Sequence, residues 1–235
     1  MYSDKYLKIL IDSQEIITSF PTGKAIHNDT NGKAYRCGEY DVKILSPKKG
    51  HVSLGEKKAR EFTEISASHI FLPQGIVFDE EDTYVGVARH PDEIVENPGK
   101  ISLGVIGESI VKLKEDLVLL NRANVRIEGL TQDSYLYTQE GLNMCGVDEF
   151  TVLTGKRVSE DGNEAELRKF VAKMIYYRIL KEDNEEVDLR KLKKFVIQCS
   201  KDPKFLEKLT KTFASNPRLT LEQYSKHFKE KYLKR

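Results

Sequence analysis

The sequence changes its pattern once along its length, and this change limits the possible folds more than any other feature. Up to about residue 88, short segments rich in β-branched and aromatic residues alternate with turn-forming residues, which predicts strands. From about residue 101, apolar residues recur at spacings of three and four, which predicts amphipathic helices. The segment between the two patterns contains two prolines and a glycine and is the predicted hinge, residues 89–100. The chain is therefore predicted to be α+β.

The first part contains five predicted strands and one predicted helix. The strand segments are EIITSF, KAYRC, YDVKIL, GIVFD and TYVGVA. Ser53 and Glu56 have the spacing of a capping box, which predicts that a helix begins there and runs through EKKAREFTEISAS.

The second part contains apolar stripes at helical spacing and one short strand pair. The stripes are Ile106, Ile110, Leu113, Leu117 and Leu120; Leu167, Phe170, Val171, Met174 and Ile175; and Leu189, Leu192, Val196 and Cys199. The strand pair is YLY and LNMCGV, joined by TQEG. A last helix is predicted to begin at Thr220, with Gln223 in the capping-box position.

Charge and cysteine content exclude several classes of protein. The 38 basic and 37 acidic side chains nearly cancel, so no global field attracts nucleic acid or a membrane. The three cysteines are widely separated, which argues against a disulfide framework and against zinc. The N-terminal segment does not resemble a signal peptide, and no apolar run approaches the length that spans a bilayer. We therefore expect a cytoplasmic protein.

The order of these parts resembles that of the protein-kinase-like superfamily over roughly residues 24–180, and of its small divergent bacterial or phage members in particular. The resemblance implies a bilobal fold with a small antiparallel β lobe that includes one helix, and a mainly helical C-terminal lobe. It places the strand-rich N-lobe at residues 1–88, the hinge at 89–100, and the C-lobe, with a degenerate catalytic-loop hairpin, at 101–235.

The resemblance also implies a nucleotide site in the first part of the chain. Lys43, in YDVKIL, takes the place of the lysine that pairs with nucleotide phosphates, because a cation fixed on a strand neutralises phosphate without reorganising. Glu61 takes the place of the helix glutamate that pairs with that lysine. Gly32 stands in the position of the glycine-rich phosphate loop, although Asn31-Gly32 is equally typical of a hairpin turn. Backbone groups around Val87 would meet the adenine edge.

In the second part, the segment VRIEGLTQDSYLYTQEGLNMCGVDEF resembles the catalytic loop and the metal-binding segment that follows it. Gly129 falls where the catalytic aspartate belongs, and Ser134 falls where the metal-binding asparagine belongs. Asp148 matches the magnesium-binding aspartate. Glycine cannot orient an attacking hydroxyl and serine is a poor magnesium ligand. The resemblance therefore implies a pseudokinase in which phosphoryl transfer is impaired and binding of ATP and magnesium is retained.

Two alternatives stay open. A shift of the register by one residue makes Glu128 the catalytic base and Asp133 a metal ligand, five residues apart as in the family, which predicts an active atypical Ser/Thr kinase. The third interpretation is a nucleotide-independent protein-interaction scaffold.

The lysine-rich segment from Lys201 to the C-terminus is the remaining feature that could recognise a partner. Ten basic and four acidic residues occupy this segment, and a solvated helix face is a simpler explanation than a phosphate-binding surface. The expected partners are thus a nucleotide and a protein, with no membrane and no nucleic acid. None of the five histidines has ligand spacing that would predict a metal site, and His69 and His90 are assigned structural roles.

Overall fold

The computed structural model describes residues 6–28, 32–45, 55–91, 93–127, 135–144, 150–152, 160–180 and 188–232. The chain forms two compact units. The strand-rich unit comprises Met1–Ser66 and Leu72–Asp92, and the helical unit comprises Ala67–Phe71 and Glu93–Arg235. The chain therefore passes between the units three times, because the short segment Ala67–Phe71 interrupts the strand-rich unit in sequence. The hinge at residues 89–100 stays a prediction.

The strand-rich unit is built on a seven-stranded antiparallel sheet with the order β2-β1-β6-β7-β5-β4-β3. The strands are β1 (Tyr6–Ile11), β2 (Gln14–Ser19), β3 (His27–Asn28), β4 (Gly32–Cys37), β5 (Tyr40–Leu45), β6 (Gly75–Phe78) and β7 (Tyr84–Arg89). The five predicted strand segments correspond to β2, β4, β5, β6 and β7. Strand β1 was not predicted, although its residues alternate between buried and more exposed positions.

One face of this sheet is apolar and forms the core of the unit. Leu7, Ile9 and Ile11 of β1 lie on it with Val42 of β5 and Val77 of β6, and all five are almost completely buried. Alternate residues of a strand point to opposite faces, so this arrangement turns the intervening residues to the other face. Lys43, next to Val42, is therefore on the face opposite the apolar core.

Helix α1, Glu56–Thr63, is shorter than predicted. Gly55 is the N-cap residue and no side chain caps the helix there, so the capping box predicted at Ser53 is wrong. The predicted continuation to Ser68 is also wrong. The backbone N–H groups of Ser68 and His69 donate to the carboxylate of Asp116 instead of extending the helix.

The helical unit contains five described α-helices: α2 (Leu103–Arg122), α3 (Glu160–Ile175), α4 (Leu189–Lys201), α5 (Phe205–Ala214) and α6 (Leu221–Tyr232). A 3₁₀ turn, Pro98–Lys100, precedes α2, and a π-helical turn, Tyr176–Leu180, extends α3. The apolar stripes of α2 and α3 are buried as predicted. Leu189 was wrongly placed in the buried stripe of α4, because 71% of its surface is exposed at the first turn of that helix.

The capping box predicted at the last helix is confirmed. The Gln223 backbone N–H donates to Oγ1 of Thr220 at 3.2 Å, and the Thr220 backbone N–H donates to Oε1 of Gln223 at 3.0 Å. These reciprocal bonds satisfy two groups at a helix end that lack partners within the helix, so they fix where α6 begins.

Two short strand pairs lie among these helices. The predicted hairpin is confirmed as β9 (Tyr135–Thr138) and β10 (Gly141–Met144). The second pair joins β8 (Val125–Ile127) to β11 (Phe150–Val152), with Ile127 directly opposite Phe150.

Candidate functional site

Lys43 and Val87, two of the predicted nucleotide-site residues, are direct neighbours in the sheet. Lys43 of β5 lies opposite Ala34 of β4 on one side and opposite Val87 of β7 on the other. Residues directly opposite each other in antiparallel strands share a face and have Cβ atoms about 5 Å apart. Lys43 is half-buried, whereas Val87 is buried. Lys43 thus lies between two apolar side chains on interior strands of the sheet.

The same face carries more positive than negative charge. Two residues along from Lys43, Asp41 lies opposite Arg36 on one side and opposite Arg89 on the other. Nε of Arg36 lies 2.6 Å from the Asp41 carboxylate. Of the residues that the structure describes, three cations and one carboxylate therefore lie on this part of the sheet. Such a surface favours an anionic ligand over a neutral one.

Gly32 has a structural reason to be glycine. It is the first residue of β4 and pairs with Leu45, and a Cβ atom there would lie 2.2 Å from the carbonyl oxygen of Ile44. Gly86 of β7 is packed in the same way, since its Cβ atom would lie 2.1 Å from the carbonyl oxygen of Lys43. Strand β5 is thus held closely on both sides by glycines. Phosphate contact by Gly32 stays a prediction.

Glu61 lies on the exposed side of α1. The buried residues of this helix are Ala59 and Phe62. Arg60 pairs with Glu56 at 2.9 Å and its guanidinium lies over the Phe78 ring, 5.9 Å from the centroid. The described contacts of α1 thus fix it to β6 and leave the predicted Lys43–Glu61 pair as a prediction.

The predicted catalytic and metal residues of the second part lie outside the described residues. They are Glu128, Asp133, Ser134 and Asp148, together with Gly129. The strands on either side of these segments are described. Strand β8 ends at Ile127 and β11 begins at Phe150, and these two residues are direct partners. The chain therefore enters residues 128–134 and leaves residues 145–149 at the same end of one strand pair.

Asn163 of α3 fixes β8 in place. Its Oδ1 accepts the backbone N–H of Ile127 at 3.0 Å, and its Nδ2 donates to the carbonyl of Val125 at 2.8 Å and to Oδ1 of Asn121 at 2.7 Å. Asn163 is completely buried. Because buried polar groups without partners are costly, this amide specifies where the short strand lies.

Ser109 of α2 fixes the hairpin that follows. Its hydroxyl donates to the carbonyl of Ile106 at 2.8 Å and accepts the backbone N–H of Leu142 at 3.0 Å. Gly141 has a φ of +111°, and a Cβ atom there would lie 2.8 Å from Oγ of Ser109. Glycine is required here both by the backbone conformation and by the close approach of α2.

Asp116 of α2 binds the segment Ala67–Phe71. Its carboxylate accepts the backbone N–H of His69 at 2.6 Å and that of Ser68 at 3.0 and 3.1 Å to its two oxygens. The ring of His69 is buried, with Nδ1 3.0 Å from Oγ of Ser68 and Nε2 3.4 Å from the carbonyl of Glu140. Met144 completes the docking, because its backbone bonds both His69 and Phe71. Every described member of this cluster has a partner within the helical unit.

The positioning roles of Ser109, Asp116 and Asn163 were not predicted, yet each is a polar residue at a position of an apolar helix stripe. Ser109 and Asp116 lie at positions of the apolar stripe of α2, three residues after Ile106 and Leu113 respectively. Asn163 lies four residues before Leu167, at the start of the stripe of α3. A polar residue at a stripe position is turned inward with its neighbours, so it must find a buried partner.

Within the described ranges, no group of three or more His, Cys, Asp or Glu side chains is placed to hold a metal ion. The helices of the same ranges are too short or too polar to cross a bilayer.

Protein kinases are among the solved structures that are similar to this chain. A mutant of the Mycobacterium tuberculosis PknI kinase domain aligns with 88% of this chain and 93% of its own, with a TM-score of 0.51 and 10% sequence identity. A rhoptry kinase from Toxoplasma gondii aligns with 97% of this chain and 83% of its own, with a TM-score of 0.49 and 9% identity. The PknI likeness confirms the prediction of an α+β, protein-kinase-like fold. No family model and no curated protein matches the sequence.

Proposed function

We propose that this chain is a nucleotide-binding, protein-kinase-like protein in which phosphoryl transfer is impaired. The observation that carries the proposal is the position of Lys43, which projects from a closely held interior strand, on the sheet face that also carries Arg36 and Arg89. The proposed ligand is ATP with magnesium, and the proposed location is the cytoplasm.

The charges and packing around Lys43 suit an anionic nucleotide. Lys43 would pair with phosphate oxygens, while Ala34 and Val87 offer apolar surface beside it. The glycines on both sides of β5 hold the backbone of Lys43 in one place, so little reorganisation would be needed on binding. The backbone groups of Val87 and its neighbours are the proposed partners of the adenine edge.

The proposed impairment rests on two residue types in the catalytic segment. Gly129 offers no side chain to orient an attacking hydroxyl, and Ser134 is a neutral ligand where the family has an amide oxygen. For magnesium, Asp148 supplies one carboxylate and Ser134 one hydroxyl, and hard cations accept such oxygen ligands. The metal would neutralise charge on the phosphates.

An active atypical kinase is the second candidate. Glu128 and Asp133 are both carboxylates, and Glu128 directly follows Ile127, which the buried amide of Asn163 holds in place. With Glu128 as base and Asp133 as metal ligand, the segment would have both acidic groups that transfer requires. The third candidate, a nucleotide-independent scaffold, requires only the fold.

Calorimetric titration with ATP, with and without magnesium, tests nucleotide binding. We expect binding that Lys43→Gln weakens about tenfold or more, because a charge-assisted contact to phosphate contributes about 1.5–3 kcal/mol. Lys33→Gln is the matched control, since Lys33 is an exposed lysine of the neighbouring strand and shares the opposite face with Ile44. Equal effects of the two substitutions, or no ATP binding at all, would leave only the scaffold.

A second assay separates the two nucleotide-binding candidates. Label transfer from the γ-phosphate of ATP to a generic protein substrate is expected to be absent or very slow. Transfer that Glu128→Gln abolishes, with ATP binding unchanged, would establish the active atypical kinase and overturn the proposed impairment.

A further inference from the structure

The basic residues of α4 differ from those of the two helices that follow. In α5, Lys211 pairs with Glu207 at 2.5 Å, and Lys208 pairs with Asp202 at 2.8 Å. In α6, Lys226 pairs with Glu222 at 2.8 Å. These ion pairs account for several of the lysines that made the C-terminal segment look like a basic surface.

Helix α4 has five basic residues and no acidic one. They are Arg190, Lys191, Lys193, Lys194 and Lys201. Lys191 lies 3.9 Å from the N-cap residue Asp188. Among the described residues, the other four form no ion pair. The carboxylate of Asp188 instead accepts the first backbone N–H groups of the helix. Among the described side chains, α4 therefore carries four cations without an ion pair, whereas Lys208 and Lys211 of α5 and Lys226 of α6 are each paired.

These four cations surround an exposed aliphatic side chain. Ile197 has 44% of its surface exposed. Lys193 and Lys194 precede it by four and three residues, Lys201 follows it by four, and Arg190 precedes it by seven. Residues at these spacings share one face of a helix. The opposite face is packed, since Val196 and Cys199 are buried against Ala172 of α3.

The helix is also fixed in its orientation. Nε of Arg168, on α3, donates to the carbonyl of Ser200 at 2.9 Å, and Arg168 itself is buried and paired with Glu164. The outward face of α4 is thus a preformed strip. A partner would pay little to order it.

We propose that this strip, Arg190, Lys193, Lys194, Ile197 and Lys201, binds an acidic segment of a protein partner. Carboxylates of the segment pair with the four cations, and one apolar side chain of the segment contacts Ile197. The proposal goes beyond nucleotide binding and does not depend on it.

The chemistry of the strip favours an acidic protein segment over other polyanions. A membrane-surface helix directs a broad apolar face to the lipid, whereas the apolar face of α4 is buried in the protein. Single-stranded nucleic acid is held by aromatic side chains on which bases stack, and the strip has no aromatic residue. An aliphatic side chain at the centre of four cations matches a segment that alternates carboxylates with an apolar residue.

Fluorescence polarisation with a labelled acidic peptide, EEDLEED, tests the proposal on the full chain. We expect saturable binding that weakens at least about tenfold between 0.05 and 0.5 M NaCl, because exposed charge pairs are screened. Replacing both Lys193 and Lys194 with Gln is expected to weaken binding about tenfold, since each exposed pair contributes up to about 1 kcal/mol. Ile197→Ser is expected to weaken binding about threefold through loss of apolar contact.

Two matched variants control for net charge and for competition within the chain. Replacing Lys208 and Lys211 with Gln removes the same charge from α5 and is expected to leave peptide affinity unchanged within about twofold, because those lysines are already paired. Residues 182–188, which precede α4, include five acidic residues. A second protein with Gln at positions 182, 185 and 186 is therefore titrated in parallel, because the acidic segment could compete with the peptide for the cations of α4.

Several outcomes would overturn the proposal. They are absence of binding in both proteins, equal loss in the α5 and α4 variants, and retention of affinity by the α4 variant. Tighter binding of a 12-nucleotide DNA strand or of vesicles with 30% phosphatidylserine, lost in the same α4 variant, would assign the strip to that class of ligand instead. Circular dichroism confirms that each variant is folded.

Discussion

The two units position their strands in different ways: the strand-rich unit uses apolar packing, and the helical unit uses buried polar side chains. In the strand-rich unit, Lys43 is positioned by an apolar core on the other face of the sheet and by the glycines that let neighbouring strands approach. In the helical unit, the short strands are positioned by the buried polar side chains Ser109 and Asn163, and Asp116 does the same for the segment 67–71.

The difference follows from strand length. Six-residue strands such as β1 and β5 each form many hydrogen bonds with their neighbouring strands and turn alternate residues to one apolar face. The alternation of apolar and polar residues then sets their register. Strand β8 has three residues and β10 has four, which gives few ladder bonds. A buried side chain that accepts one particular backbone N–H group then specifies the position that the ladder cannot. The following substitutions test this contrast.

The largest effect is expected from the apolar core of the strand-rich unit. Ile9→Ala should lower the free energy of unfolding by about 4 kcal/mol, because Ile9 is completely buried and the substitution leaves a cavity. Ile17→Ala in the adjacent strand is the control and should change it by less than about 0.5 kcal/mol, since 63% of Ile17 is exposed. Urea unfolding measures both. Equal effects would mean that this face is not the core.

Asp116→Ala should cost about 3 kcal/mol, because it leaves the buried backbone N–H of His69 and the partly buried backbone N–H of Ser68 without an acceptor. Glu115→Ala, one residue away on the exposed side of α2, should cost less than about 0.5 kcal/mol. Hydrogen exchange should show faster exchange at the amides of Ser68 and His69 in the first variant only. Unchanged exchange at these amides would refute the anchoring role.

Asn163→Leu asks whether the helical unit needs a polar anchor or only a filled volume. We expect a loss of about 2 kcal/mol, because Ile127 N–H and the Val125 carbonyl lose their partner although the volume is kept. Thermal unfolding measures the loss. If Asn163→Leu is as stable as the natural chain, packing positions β8 and the contrast between the units fails.

The smallest effect is expected at the hydroxyl group of Tyr84 in the strand-rich unit. Among the described residues, none hydrogen-bonds the buried hydroxyl of Tyr84. Burial, with a smaller contribution from Glu56, raises the pKa of Tyr84 from 10.0 to about 12. The unfolded chain therefore releases this proton first, and the free energy of unfolding should fall between about pH 10 and pH 12.

Tyr84→Phe should remove this part of the alkaline destabilisation and raise stability at neutral pH by about 1 kcal/mol, since it removes a buried hydroxyl without a partner. Urea unfolding at pH 7 and at pH 11 measures both effects. A loss of stability in this variant at pH 7 would show that the hydroxyl has a favourable interaction.

The sequence predicted the regular elements well where one physical rule dominates. β-Branched and aromatic residues between turn signals identified β5 and β7, and three-four spacing identified α2 and α3, whose apolar stripes are buried. Reciprocal capping fixed the start of α6 at Thr220. The same rule failed at Ser53, because capping-box spacing alone does not establish that the helix begins there.

Of the candidate site residues, Lys43 and Val87 were predicted to lie on strands, and their contacts with a nucleotide stay predictions. Lys43 and Val87 are neighbours as a consequence of strand order, although the sequence alone did not give their register. Asp116 was missed because its partners, Ser68 and His69, are more than 45 residues away in sequence. Sequence spacing on one helix shows that a polar side chain is turned inward, but it cannot show which distant backbone group receives it.

The insertion of Ala67–Phe71 into the helical unit affects how the protein can be divided. A fragment that starts at Glu93 contains every helix from α2 onward but lacks Ser68 and His69. In that fragment the carboxylate of Asp116 would face the protein interior without its donors, and β10 would lose the backbone bonds of Met144. Expression of the two halves as separate proteins, divided at Glu93, would therefore not produce an intact second half.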